Sequence, residues 1–152
     1  MATLFEEFMA LIAEFDRLRI PYAVCGGWAM AIHGALRATI DIDLMVQSDD
    51  LEMAWETAKS LGYNVEGLPL DLKDGAIQIR RISKIDPDRK QLITVDFLLV
   101  TDGTREVWAG RKTMPWKHGT ISAVSREGLI KLKELSGRPQ DLLDIQTLQN
   151  EN

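Results

Sequence analysis

The sequence predicts a single α/β (α+β) domain over residues 1–152, with a mixed sheet of about four or five strands and helices packed on one side. Two observations predict this class. Segments with apolar residues at helical spacing alternate along the chain with short apolar segments that are typical of strands. The composition, 45% hydrophobic and 27% charged, is that of a globular protein whose 152 residues suffice for one core.

The first elements are a helix, a short strand and a second helix. Thr3 and Glu6 have the spacing of a capping box, and apolar residues then recur at helical spacing until Pro21. Residues 22–25 predict a short apolar strand. Two glycines separate this strand from a small apolar helix over residues 28–33, so the order is strand, glycine turn, helix.

Three strands and one helix are predicted in the middle of the chain. Apolar and acidic residues alternate in residues 40–46, which indicates a strand with one buried face. Residues 49–61 predict an amphipathic helix. Residues 76–82 and 92–100 predict two further strands, joined by a charged loop around Pro87.

The C-terminal part ends in two helices. Residues 101–120 lack a clear periodicity and predict no more than a short helix, with a short strand reaching Val124. Ser125 is then placed to cap a helix that ends at Gly137, and Pro139 is well suited to begin the last helix.

Charge and hydropathy exclude several classes of function. A net charge of −5 is unfavourable for nonspecific binding to a nucleic-acid backbone, which needs a basic surface. The sequence has no apolar run near the roughly 18–20 residues of a membrane span, and residues 1–7 lack the basic start of a secretory signal. We therefore expect a cytoplasmic protein with no membrane partner. The lone Cys25 is expected to be a small buried hydrophobic residue.

Three aspartates form a candidate metal site. Asp41 and Asp43 lie two residues apart on a predicted strand, so their side chains point the same way with Cα atoms about 7 Å apart. Asp96 interrupts an apolar strand and is a candidate third ligand, because a buried charge is costly unless it is paired or bound to metal. Such a set can hold two ions in a phosphoryl transfer. The alternatives are a solvated polar face for the pair, and a turn cap or a pair with Arg80 for Asp96.

Gly26 and Gly27 provide a candidate phosphate-binding turn. Glycines directly before a helix let backbone N–H groups approach a triphosphate closely. Two glycines alone are weak evidence, because many turns contain them. Their position shortly before the Asp-x-Asp strand makes the interpretation stronger.

The segment of residues 26–44 resembles the signature of the nucleotidyltransferase superfamily that includes DNA polymerase beta. Its motifs are Gly26-Gly27, His33-Gly34, Arg37-x-Thr39 and Asp41-x-Asp43. The form with His-Gly and Arg-x-Thr is similar to the abortive-infection AbiEii group of toxin-like nucleotidyltransferases. In the tail, Lys131 or Lys133 followed by Gly137-Arg138, Asp141 and Asp144 resembles the C-terminal pattern of that group. Gln140 stands where relatives often have a lysine.

This resemblance implies a mechanism and a set of ligands. Asp41 and Asp43 would bind two Mg²⁺ ions, which Mn²⁺ could replace, and Asp96 would complete the catalytic ion site and help deprotonate an acceptor hydroxyl. Pyrophosphate would leave. The β- and γ-phosphates of an NTP would be held by four residues, Gly26, Gly27, Arg37 and Lys131.

The acceptor is left open by the resemblance. A tRNA end, a side chain of a partner protein and a small hydroxylated compound such as an antibiotic all fit it, and a role in a toxin–antitoxin pair is a related possibility. The alternative is a nucleotide- or partner-binding module with little or no turnover. Its basis is the shortness of the chain, which lacks the further helical domain of AbiEii proteins, and the departure at Gln140.

Overall fold

The computed structural model describes residues 3–35, 41–117 and 119–150. In chain order the elements are α1 (Leu4–Arg17), β1 (Ala23–Cys25), α2 (Gly26–Ile32), β2 (Asp41–Val46), α3 (Leu51–Ser60), β3 (Val65–Glu66), β4 (Leu70–Leu72), β5 (Ile77–Asp86), β6 (Gln91–Leu99), α4 (Arg105–Ala109), β7 (Lys112–Trp116), β8 (Gly119–Ala123), α5 (Arg126–Ser136) and α6 (Pro139–Asn150). Within this part of the chain, no helix has both the length and the apolar character needed to cross a bilayer.

The mixed α/β architecture predicted from the sequence is confirmed. The strands form one sheet in the order β3-β5-β6-β2-β1-β8-β7, and β4 pairs with β5 beside β3. The β2–β6 and β1–β8 pairs are parallel, whereas the other pairs are antiparallel. Over the described residues the sheet has eight strands rather than the predicted four or five. The three additional strands are β3, β4 and β7. Strands β3 and β4 have only two and three residues, which is too short to show a period, and β7 lies in the segment without clear periodicity.

Local sequence signals set the ends of several helices. Thr3 and Glu6 form the predicted capping box at the start of α1, with each side chain accepting a hydrogen bond from the other's backbone N–H. The Ser125 hydroxyl accepts a hydrogen bond from the backbone N–H of Gly128 and caps α5. Gly137 ends α5 in the left-handed conformation, with φ +66°.

One face of the sheet is an aliphatic and aromatic core beneath α1 and α3. Phe97 of β6 is fully buried on this face, and its ring lies 6.1 Å from Phe15 of α1 and 6.4 Å from Trp55 of α3, measured between ring centroids. Ile42 and Leu44 of β2 are also fully buried. Because side chains alternate along a strand, this packing turns the acidic residues of β2 to the opposite face.

The register of the central strands places polar residues in two adjacent rows on that opposite face. One row crosses four strands and contains Cys25, Asp43, Asp96 and Arg81. The neighbouring row contains Asp41, Thr94 and Ser83. Neighbouring strands are about 4.8 Å apart, so side chains within a row are near neighbours.

Helix α5 lies over this second face and encloses a cleft above the sheet. Helices therefore cover both faces, rather than the one side predicted from the sequence, because the second face also carries apolar residues. Lys133 and the apolar residues Leu129 and Leu132 of α5 line this cleft together with Asp43 and Asp96. Ile77, Ile79 and Leu98 of β5 and β6 provide the rest of its apolar wall. The fold therefore sets a carboxylate cluster beside an aliphatic surface.

Candidate active site

Gly26 and Asp43 are in close contact at the floor of the cleft. The chain leaves β1 at Cys25 and turns at Gly26, whose φ of +64° lies in the left-handed region. A Cβ atom at Gly26 would lie 2.7 Å from Cγ of Asp43 and closer still to its Oδ2 atom. Glycine is therefore required both by the backbone conformation and by the carboxylate above it. Gly27 is buried in the first turn of α2.

The structure brings Asp41, Asp43 and Asp96 together on one face of the sheet. Asp43 and Asp96 are directly opposite on the parallel strands β2 and β6, and Asp41 lies two residues before Asp43. Burial, followed by the negative charges of Asp96 and Asp41, raises the pKa of Asp43 from 3.8 to about 7. Burial and the charge of Asp96 also raise the pKa of Asp41. The three carboxylates thus form one electrostatic cluster.

Carboxylate oxygens are the ligands that Mg²⁺ prefers, and the mutual repulsion of these groups would be relieved by a cation. The donor set therefore fits a divalent metal. In the described ranges, however, no group of three His, Cys, Asp or Glu side chains is placed so that it could hold a metal ion. Both oxygens of Asp96 are instead turned onto an arginine.

That arginine is Arg81, which no pattern in the sequence marks. Its Nε donates to Oδ1 of Asp96 at 2.7 Å, and its Nη2 donates to Oδ2 at 2.8 Å. Arg80, the partner considered from the sequence, binds Asp71 of β4 at 2.8 Å instead. Adjacent residues of a strand point to opposite faces, so only the register of β5 against β6 decides which arginine meets Asp96.

A second charged network joins α5 to α6 on the other side of the cleft. Lys133 is buried, and its Nζ lies 2.8 Å from Asp144 and 3.6 Å from Asp141. Arg138 binds Asp141 through Nε at 2.9 Å. Lys133 and Arg138 line the cleft, and their positive charges oppose the rise in the pKa of Asp43. Gln140 donates to Asp144 at 3.0 Å, so it belongs to this network.

The other residues predicted from the sequence lie elsewhere. Lys131 of α5 is exposed and forms an ion pair with Glu106 at 2.9 Å, and it is not among the residues that line the cleft. Arg37 lies outside the described residues. Two residues along one helix differ by about 200° in direction, so Lys131 and Lys133 point to nearly opposite sides of α5. The sequence pattern alone could not choose between them.

Replacing Gly26 by alanine tests the contact with Asp43. Gly137→Ala is a matched control, because Gly137 has a similar φ of +66° but its nearest other atom would be 3.7 Å from the new Cβ. We expect the control to lose about 1–2 kcal/mol of stability from left-handed strain alone. Gly26→Ala should lose more in urea unfolding, since it also displaces the carboxylate. Equal losses in the two variants would contradict the contact.

The raised pKa of Asp43 predicts a pH dependence of stability in the metal-free protein. Between its ordinary pKa of 3.8 and about 7 the folded state holds the Asp43 proton more tightly than the unfolded chain. The free energy of unfolding should therefore fall as pH rises through this window. The amide side chain that Asp43→Asn introduces does not titrate, so the stability of the wild type relative to this variant should decline from low to neutral pH.

Urea unfolding in the presence of a chelator measures this difference. Asp102→Asn, which removes a carboxylate from the exposed surface, controls for the loss of one charge. If the free energy of unfolding has the same pH dependence in the wild type and in Asp43→Asn, the pKa of Asp43 is the same in the folded and unfolded states. That result would contradict the prediction.

The chain is similar in sequence and fold to known nucleotidyltransferases. A family model described as aminoglycoside-2''-adenylyltransferase matches residues 7–119, more than half of the chain. None of the curated proteins matches. Among solved structures, the lincomycin-bound lincosamide antibiotic adenylyltransferase LnuA has a TM-score of 0.57 at 14% identity, over 95% of this chain and 96% of that chain.

Two further structures have similar scores. ANT(2'')-Ia in complex with adenylyl-2''-tobramycin has a TM-score of 0.59 at 17% identity, over 93% of this chain and 85% of that chain. A candidate nucleotidyltransferase from Thermotoga maritima has a TM-score of 0.62 at 14% identity, over 96% and 94%. At identities this low, structural similarity establishes the fold alone.

The predicted membership of the nucleotidyltransferase superfamily is confirmed, whereas the closer similarity to the AbiEii group stays a prediction. The matched segment contains Gly26, Asp41, Asp43 and Asp96. On the strength of this match, the chain belongs to the aminoglycoside-2''-adenylyltransferase family.

Proposed function

We propose that the protein is a Mg²⁺-dependent nucleotidyltransferase that moves a nucleoside monophosphate from an NTP to a hydroxyl of a small molecule, such as an antibiotic. The observation that carries the proposal is the pairing of Asp43 with Asp96 on adjacent strands, beside Gly26 and with Asp41 on the same face. Family membership supports the reaction class.

The three aspartates have distinct roles in this proposal. Asp41 and Asp43 would hold two Mg²⁺ ions, for which Mn²⁺ could substitute, and Asp96 would complete the catalytic ion site. Bound metal ions stabilise the negative charge that develops on the attacking and leaving oxygens. Asp96 would also help to remove the proton of the acceptor hydroxyl.

Cations on the opposite wall would hold the leaving pyrophosphate. Lys133 and Arg138 line the cleft and face Asp43, so their charges can offset those of the β- and γ-phosphates. The backbone at Gly26 and Gly27 would approach the triphosphate. Lys131 and Arg37 stay sequence-based predictions for the same role.

A small-molecule acceptor agrees with the family and with the fold neighbours, whose structures contain lincomycin and adenylyl-2''-tobramycin. The aliphatic wall of the cleft offers a surface for the apolar part of such a molecule. A tRNA or protein acceptor, a toxin–antitoxin role and a cytoplasmic location stay predictions from the sequence.

Pyrophosphate release tests the proposal. Purified protein is incubated with each NTP, Mg²⁺, and an aminoglycoside or a lincosamide, and the product is identified by mass spectrometry. Asp41→Asn, Asp43→Asn and Asp96→Asn should each abolish release, because each removes a metal ligand. Circular dichroism checks that the variants stay folded. Full activity of Asp43→Asn would contradict the assignment of Asp43 as a metal ligand.

A thermal-shift assay, combined with the pyrophosphate assay, distinguishes an enzyme from a nucleotide- or partner-binding module. Among the described residues no three ligand side chains are placed to hold a metal ion, which favours this second candidate. A nucleotide at 100 times its Kd adds about 2.7 kcal/mol to stability, which a thermal-shift assay detects. Stabilisation by Mg²⁺ and NTP without pyrophosphate release, across the acceptor panel, would support the module and contradict the enzyme.

Arg138→Gln and Lys131→Gln test which cations bind phosphate. We expect Arg138→Gln to raise the KM for NTP roughly tenfold, as loss of a charge-assisted hydrogen bond of about 1.4 kcal/mol would produce. Lys131→Gln should change this KM much less, because Lys131 lies outside the cleft. A larger increase of the KM for NTP in Lys131→Gln than in Arg138→Gln would instead assign phosphate binding to Lys131.

A further inference from the structure

We propose that Arg81 is a positioning residue that fixes the orientation of the Asp96 carboxylate beside Asp43. The inference rests on the proposed function, since the orientation of Asp96 matters to the reaction only if Asp96 takes part in it. The contact with Arg81, the register of three strands and the packing around the Arg81 stem carry the argument.

The contact constrains Asp96 in a way that a single hydrogen bond would not. Two parallel N–H donors of one guanidinium bind both carboxylate oxygens, at 2.7 and 2.8 Å. A bidentate pair of this kind fixes the plane of the carboxylate as well as its position. The Asp96 side chain is only 9% exposed, so solvent offers few alternative partners.

The strand order determines which side of Asp96 remains available. Arg81 approaches from β5, on one side of β6, and Asp43 lies on β2, on the other side. Arg81 therefore binds Asp96 from the side of β6 opposite to Asp43. The remaining lone pairs of the two oxygens are left for a ligand shared with Asp43.

The Arg81 stem is itself held by the chain between β3 and β4. The backbone N–H of Gly67 donates to the Arg81 carbonyl at 2.9 Å. A Cβ atom at Gly67 would lie 3.2 Å from Cβ of Arg81, so the two residues are in close contact. Half of the Arg81 side chain is nevertheless exposed, at 51%. Because ion pairs of exposed side chains contribute little to the stability of a fold, stability alone does not explain the pairing of Arg81 with Asp96.

Arg81→Lys separates positioning from charge. Lysine keeps the positive charge beside Asp96 but cannot form two parallel hydrogen bonds, so it loses only the constraint on orientation. Arg80→Lys is the matched control, because Arg80 is the adjacent arginine, points to the other face of β5 and binds Asp71. Thermal melting curves of both variants check the fold.

Two measurements on the full chain give the readout. Steady-state pyrophosphate release gives kcat and the KM for NTP, and electron paramagnetic resonance of free Mn²⁺ gives metal affinity with a non-hydrolysable NTP and no turnover. We expect Arg81→Lys to lower both kcat and Mn²⁺ affinity about 10–100-fold, as loss of a residue that orients a metal ligand does. The KM for NTP should stay near its wild-type value, and Arg80→Lys should behave as the wild type.

A wild-type kcat or a wild-type Mn²⁺ affinity in folded Arg81→Lys would overturn the inference. An increase in the KM for NTP at constant kcat would also overturn it, because that result would assign Arg81 to phosphate binding. Failure of the proposed function is seen separately, in the wild-type protein. If the wild type neither binds Mn²⁺ with nucleotide nor releases pyrophosphate, both proposals fall.

Discussion

The parallel pairing of β2 with β6 in one register is the constraint on which the rest of this structure depends. It sets Asp43 directly opposite Asp96, and the alternation of side chains along β2 adds Asp41 to the same face. A slip of one residue would exchange these carboxylates for Leu44 or Ile42, which form the core on the other side. The apolar packing beneath α1 and α3 thus fixes the acidic face, because the two patterns occupy alternate positions of one strand.

Like charges in so small a space are unfavourable, and the structure offsets them from two directions. Arg81 neutralises Asp96 from the neighbouring strand β5, while Lys133 and Arg138 bring positive charge from α5 and the turn that follows it. Burial, followed by the charges of Asp96 and Asp41, nevertheless raises the pKa of Asp43. A divalent ion beside Asp43 would relieve its repulsion with Asp96 and Asp41, which agrees with the place of Asp43 in the proposed reaction.

Features set by local sequence could be predicted, and features set by relative placement could not. Alternation revealed the Asp41 and Asp43 strand face, and short-range spacing revealed the Thr3 cap and the end of α5 at Gly137. The choice of Arg81 over Arg80 depends on strand register, and the position of Lys133 rather than Lys131 in the cleft depends on how α5 is rotated against the sheet. Neither leaves a signal in a single sequence. Strands β3 and β4 escaped prediction because two or three exposed residues cannot show a period.

The buried ion network between α5 and α6 has a consequence for the far end of the chain. Lys133 is enclosed by Asp141 and Asp144, which both belong to α6. If α6 came away, a lysine charge would stand unpartnered in the wall of the cleft, at a cost of several kcal/mol. The stability of α6 is therefore coupled to the stability of the cleft wall. A truncation that removes α6 would therefore change the charge of the cleft where the nucleotide is proposed to bind.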